Sequence, residues 1–182
     1  NGVTAQELGS AIGQNNDSIR ILTSAVKLAV KIPVIIKLTP NVTDIASAAK
    51  AAVDSGADGI CAINTISSLI GIDIYSHNPF PNVNGNSTFG GFSGKCVKPI
   101  GLRCNAEIAQ AVNVPLYAVG GISYWQDAVE YISVGASIVQ ICTEVMLSGM
   151  KIITNLLNGL EGYLKTQHYS SIYDFRGAAL KK

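Results

Sequence analysis

The sequence predicts an α/β fold, about the last four βα units of a (β/α)8 (TIM) barrel, and three observations carry this. Four short apolar runs, residues 34–38, 59–63, 116–119 and 138–141, are each followed by a helical stretch. Continuous Val/Ile/Leu-rich runs of this length are what parallel strands buried on both faces require. Each run stops at polar or glycine residues, the strand ends on which such folds build their sites. Finally, 182 residues with 48% hydrophobic and only 14% charged side chains supply one domain with a sizeable core. Four units alone leave two open strand edges and an uncovered interior, an unfavourable state for an isolated protein. Residues 1–182 are therefore expected to be the C-terminal half of a single barrel domain, the N-terminal half lying upstream. An open four-stranded α/β sheet is the alternative.

In order along the chain, residues 1–14 are small and glycine-rich and read as a loop. Asp17 is placed to cap a helix through Lys31, with Ile19, Leu22, Val26 and Val30 on one face. The strand 34–38 follows, with Lys37 inside it. A lysine is seldom buried without a partner, and two readings stand. Its ammonium snorkels to the rim, or it points into the barrel mouth at an anionic or carbonyl-bearing ligand. Thr39-Pro40-Asn41 breaks the strand, and Thr43 or Asp44 caps a helix that closes on Gly56. The strand 59–63 ends on Asn64 and Thr65. An amide carries both donor and acceptor, which suits a ligand with mixed N–H and C=O edges; Asn64 reads equally as a turn cap.

Residues 66–94 form the longest irregular stretch, a lid or insertion. Its His77, on a polar loop, reads as solvated rather than catalytic. The stretch ends in GGFSG (90–94), where backbone can approach a ligand. Lys98-Pro99 opens a helix through Val112. The strand 116–119 stops at Gly120-Gly121, and Tyr124, Ala128, Tyr131 and Ile132 supply the apolar face of the next helix. The strand 138–141 stops at Cys142-Thr143. Glycines here allow close approach and bare N–H groups, and the loops after the last two barrel strands commonly grip a phosphate with help from a helix N-terminus. Two ordinary βα turns account for the spacing equally well. One long helix from residue 144 to about 164 and a short one near Ile172 complete the chain.

A net charge of +1 with scattered Lys and Arg offers nothing to nucleic acid or an acidic membrane surface. No apolar run approaches the roughly 20 residues of a membrane span, and no signal-peptide pattern opens the chain, so cytoplasm is the expected compartment. Cys61, Cys96, Cys104 and Cys142 include no C-x-x-C spacing, so no metal site is expected here, and reduced thiols are.

Several ordered segments resemble the C-terminal half of the flavin-binding barrel of the dihydropyrimidine dehydrogenase family. They are IPVIIKLTPNVTDI (32–45), GADGICAINTISSLIGID (56–73), GGFSGKCVKPIGLR (90–103), AVGGIS (118–123) and GASIVQICT (135–143). The related dihydroorotate dehydrogenases share the barrel and several of these features. The resemblance implies FMN, and reduction of the uracil or thymine 5,6 double bond with electrons from NAD(P)H, flavin N5 delivering hydride to C6. It implies that Lys37 contacts the flavin near its N1–C2=O edge, where an ammonium stabilises the charge of the reduced ring. Asn64 and Thr65 match the pair that hydrogen-bonds the pyrimidine. Gly94, the turn Val119, Gly120, Gly121 and the pair Cys142, Thr143 match FMN contacts, the latter two groups at its phosphate. The family's proton-donating cysteine has no counterpart among these residues and is expected just upstream. Its iron–sulfur clusters and NAD(P)H site are likewise expected outside this chain, on an electron-transfer domain or subunit, in a homo-oligomer. A dihydroorotate dehydrogenase-like flavoenzyme and a non-catalytic flavin- or phosphate-binding module are the competing readings.

Overall fold

A computed structural model describes residues 12–80, 82–87 and 89–180; most of the loop read over residues 1–14 lies outside them. The framework is α1 (Asn16–Ala29), β1 (Ile35–Leu38), α2 (Ile45–Asp54), β2 (Gly59–Ala62), α3 (Lys98–Ala111), β9 (Leu116–Val119), α4 (Trp125–Ser133), β10 (Ile138–Gln140), α5 (Thr143–Ser148) and α6 (Lys151–Thr166). Between β2 and α3 lie six short strands: β3 (Ile66–Ser68), β4 (Gly71–Ile72), β5 (Pro79–Phe80), β6 (Asn82–Val83), β7 (Asn86–Ser87) and β8 (Gly90–Phe92).

The main sheet has the order β1-β2-β9-β10, and every pair is parallel. This is the α/β architecture the sequence predicts, an arc of four βα units with β1 and β10 at its open edges. Side chains alternate across it. Leu38, Ala62 and Ala118 point outward and are buried beneath the helices. Four alanines of α2, Ala48, Ala49, Ala51 and Ala52, are at most 3% exposed; their small size lets that helix lie close on β1 and β2. A second cluster joins Ala118 and Ile122 to Tyr131 of α4 and to Ile152 and Leu156 of α6. The other face carries Lys37, Cys61, Tyr117, Ile138 and Gln140, the inside of the arc, and there Ile138 remains 43% exposed.

Local chemistry fixes the helix ends. Asp44 caps α2 by accepting from Ser47 N at 2.9 Å. Asn15, not Asp17, caps α1, accepting from Ser18 N at 2.9 Å. The buried face of α1 is Ile19 and Thr23, whereas Leu22 and Val26 are 45% and 44% exposed. The helix is turned to pack on α2, so the remainder of its predicted apolar stripe is left exposed. Tyr124 likewise lies outside the apolar face of α4, at its N-cap, and Asp127 is buried in that first turn instead. The expected single helix over 144–164 is two, broken at Gly149 with φ 69°, a left-handed conformation that ends α5.

The stretch 66–94, expected to be irregular, is an arm of antiparallel pairs, β3–β8, β4–β5 and β6–β7. Ile66 pairs with Phe92 and Ser68 with Gly90. The arm therefore returns the chain to the end of β2. His77 sits at the β4–β5 turn with φ 58°.

Candidate functional site

The C-terminal ends of the four main strands enclose a cleft of about 130 Å³. All nine residues singled out in the sequence line it: Lys37, Asn64 and Thr65 on one side, Gly94, Val119, Gly120, Gly121, Cys142 and Thr143 on the other. His77 is not among its lining residues.

The first side is made of side chains. Lys37 follows two isoleucines in β1 and faces inward by alternation. It is exposed within the cleft and has no ion-pair partner among the described residues. It stands in register with Cys61 of β2. Burial pushes the Cys61 thiol up, against the opposing field of Lys37. The Cys61 thiol donates to Gln140 Oε1 at 3.2 Å, so the floor of the cleft spans β2 to β10. After β2 the chain passes a cis Ala62–Ile63 peptide. Ile63 N then donates to Val119 O at 2.8 Å and Asn64 N to Leu38 O at 2.9 Å, which fixes both neighbouring strand ends. Asn64 Oδ1 accepts from Thr65 N at 2.9 Å. It is thus a turn cap and a cleft residue at once. Asn41 ties the β1 and β2 loops together: its Nδ2 donates to Thr65 O at 3.1 Å and its Oδ1 accepts from Ser67 N at 2.9 Å. Thr65 packs so closely on Gly91 that any side chain there would collide with the threonine.

The second side is made of backbone. Gly94, Gly120 and Gly121 have φ of 90°, 136° and 74°, values favourable only for glycine. A Cβ on Gly121 would lie 2.8 Å from Lys98 N and 2.9 Å from Gly94 O, so two loops distant in sequence close on one another. Thr143 Oγ1 donates to Ser93 Oγ at 2.9 Å, joining the arm to the start of α5. The glycine turn after β9 and Gly94 thus form one concave backbone surface. The N-terminus of α4 does not contribute to it, however. The Asp127 carboxylate already accepts from Ser123 N and Tyr124 N, both at 2.8 Å, and from Lys98 Nζ at 2.7 Å. Burial alone would raise the Asp127 carboxyl, but the Lys98 ammonium and the two N–H groups outweigh it and hold it below its ordinary value. Hydrogen bonds from Ser148 and Ser123 likewise lower Glu144 at the rim.

Gln140 and Ser93, which line the cleft, and Asn41, which braces its Thr65 loop, were missed in reading the sequence. Gln140 carried a signal, a polar residue inside an apolar strand, as Lys37 does. Ser93 and Asn41 sit in loops whose partners are set only by the fold.

Of the four cysteines, all free, Cys61 and Cys104 are buried and Cys96 and Cys142 exposed. Among the described residues no group of three or more His, Cys, Asp and Glu side chains is arranged to hold a metal ion, and no helix is long and apolar enough to cross a membrane.

A parallel α/β arc with converging glycines and an inward lysine at the C-terminal ends of its strands defines a class, the (β/α)8-type barrels. Within that class, residues 5–164 match the model of the dihydroorotate dehydrogenase family, and the chain belongs to that family. It is 44% identical over 177 residues to the catalytic subunit of dihydroorotate dehydrogenase B (NAD(+)) of Pyrococcus abyssi, covering 97% of this chain and 58% of that protein. The Thermococcus kodakarensis counterpart is 41% identical over 177 residues, 97% of this chain and 57% of that protein. The NAD-dependent dihydropyrimidine dehydrogenase subunit PreA of Escherichia coli K12 is 37% identical over 180 residues, 97% of this chain and 44% of that protein. The chain spans about half the length of the curated relatives it matches.

Proposed function

We propose that the complete protein is an FMN-dependent oxidoreductase that reduces uracil or thymine to the 5,6-dihydropyrimidine with electrons from NAD(P)H. The observation that carries the reading is the meeting of Lys37, Asn64 and Thr65 with the Gly94, Gly120 and Gly121 cradle in one cleft. A phosphate-binding module without chemistry requires only the cradle.

The residues fit FMN. The cradle is free of side chains where a Cβ on Gly121 would strike backbone, which leaves peptide N–H groups open to an anion. The inward ammonium of Lys37 suits a ring edge that becomes negative on reduction. When bound, FMN supplies a ring that takes up and releases a hydride. Gly94, Val119, Gly120, Gly121, Cys142 and Thr143 would hold it. Lys37 would keep a positive charge against its polar edge. Asn64 and Thr65 would orient the pyrimidine through amide and hydroxyl groups, the pairing that alternating N–H and C=O groups call for. Cys61 is unsuited to donate the proton, being buried with its thiol raised. That acid, the iron–sulfur clusters and the NAD(P)H site are assigned to the rest of the protein or to a partner subunit. The word "subunit" in the relatives' names supports such a partner. The proposed assembly is a homo-oligomer in the cytoplasm, with this chain as the C-terminal half of one barrel domain.

Oxidation of dihydroorotate is the second reading, favoured by 44% identity to the Pyrococcus abyssi protein against 37% to the Escherichia coli one. The wording of the segments 32–45 and 56–73, with the neutral Asn64 and Thr65, favours uracil. The full-length protein decides between them by its visible spectrum without oxygen. On the uracil reading, a flavin band bleached by NADH or NADPH returns on adding uracil but not orotate. Return with orotate alone gives the dihydroorotate assignment, and a protein that cannot be loaded with FMN overturns both.

A further inference from the structure

The glycine turn after β9 is held from beneath by buried groups. Tyr131 of α4 is fully buried, and its hydroxyl donates to Gly120 O at 2.6 Å while lying 3.5 Å from Lys98 O. The ring end fits because residue 101 is glycine; a Cβ there would collide with the phenol oxygen. Beside it, Lys98 Nζ bridges Asp127 at 2.7 Å and Glu130 at 2.8 Å. The other Asp127 oxygen fixes Ser123 N and Tyr124 N just past the turn. The backbone of Lys98 occupies the space beside Gly121.

The Gly120 carbonyl and the Gly121 N–H belong to one planar trans peptide, and point in opposite directions. Drawing the carbonyl down to Tyr131 therefore aims the N–H away from the core. That N–H has no acceptor among the described residues, and Gly121 lines the cleft. Loss of the phenol hydroxyl would leave a half-buried carbonyl without its donor, a costly state that rotation of the peptide relieves. Such a rotation turns the N–H away from the cleft.

We infer that Tyr131 is a positioning residue for the phosphate end of the cofactor: it orients the Gly120–Gly121 peptide and gives the protein its preference for phosphorylated over unphosphorylated flavin. The inference rests on the FMN reading above. Tyr131 touches no ligand itself and acts only through that peptide. The Lys98–Asp127 pair supports the same turn two residues further along, at Ser123 N.

The test is the affinity of the full-length apoprotein for FMN and for riboflavin, by flavin fluorescence, in the wild type and in Tyr131→Phe. The expected result is a roughly tenfold loss for FMN, the effect of one hydrogen bond to a half-buried group, with riboflavin changed less than about twofold. A merely structural role would weaken both flavins alike. A wild type that prefers FMN and a variant that keeps that ratio overturn the role of Tyr131. A wild type that binds neither flavin, or both equally, overturns the FMN reading and this inference with it. Asp127→Asn, which keeps the side-chain volume, carries the same test should Tyr131→Phe not fold. Its expected selective loss is roughly threefold, and an unchanged ratio there overturns the inference.

Discussion

The two sides of the cleft differ in what they present. Toward β1 and β2 the chain presents side chains: the Lys37 ammonium, the Asn64 amide and the Thr65 hydroxyl. Toward β9 and β10 it presents backbone, with glycines at positive φ stacked on one another. Side chains distinguish one polar ring from another, because donors and acceptors are set residue by residue. Backbone N–H groups accept any anion of the right size but demand a rigid turn. On this division the first side would set chemistry and substrate, and the second would hold the cofactor. It also makes the second side the more fragile, since its function depends on conformation and not on identity.

Substitutions can break this contrast or sharpen it. The largest effect is expected for Gly121→Ala, where positive φ and contact with Lys98 N and Gly94 O combine to cost roughly 2–4 kcal/mol. Urea unfolding and flavin content of the full-length protein should both fall; a stable, fully loaded variant would refute the cradle. Lys37→Met acts on the other side. Flavin reduction should slow by on the order of 10²–10³-fold while FMN stays bound and unfolding is unchanged. Unaltered turnover would remove Lys37 from the chemistry.

Asp127→Asn is expected to cost roughly 1–3 kcal/mol, since it removes one charge from a largely buried pair. Its pH dependence has a definite sign. The folded carboxyl lies below its ordinary value, so its contribution is fully present above an unfolded pKa of about 3.9 and is lost as pH falls through the folded value. The variant should therefore lose less stability than the wild type on acidification below about pH 4, as chemical unfolding at a series of pH values will record. Asn41→Ala frees the Thr65 loop from the β1 loop at about 1 kcal/mol, and should raise the substrate KM more than it lowers kcat. His77→Ala, remote from the cleft, should stay within about 0.5 kcal/mol in stability and unchanged in activity; a lost activity would mean the arm reaches the substrate.

The strands and their ends were legible because burial leaves a plain mark: Lys37 within Ile35, Ile36 and Leu38 is conspicuous, and a strand that stops at Gly120-Gly121 is equally so. What escaped depended on neighbours. The exposed Leu22 and Val26 cannot be told from core residues by period alone, since the face of α1 is decided by what lies beside it. The two-residue strands of the arm are too short to show alternation. The break at Gly149 looks like any tolerated helical glycine until its φ is known. Asp127, a charged residue in a first helical turn, gives no sign in sequence that it will be buried under Lys98.

The ladder between β3 and β8 has a consequence for how this part of the chain can change. Ile66 and Phe92 are paired, so Thr65 and Ser93 are held at a spacing fixed by the base of the arm and independent of its length. Lengthening a flexible tip costs little, about 0.6 kcal/mol for each doubling. The arm can therefore drift in size and sequence, acquiring or losing contacts with other molecules at its tip, while the cleft at its root keeps its dimensions. Natural variation and engineered insertions alike should be tolerated at residues 84–85 and rejected at residues 90–94.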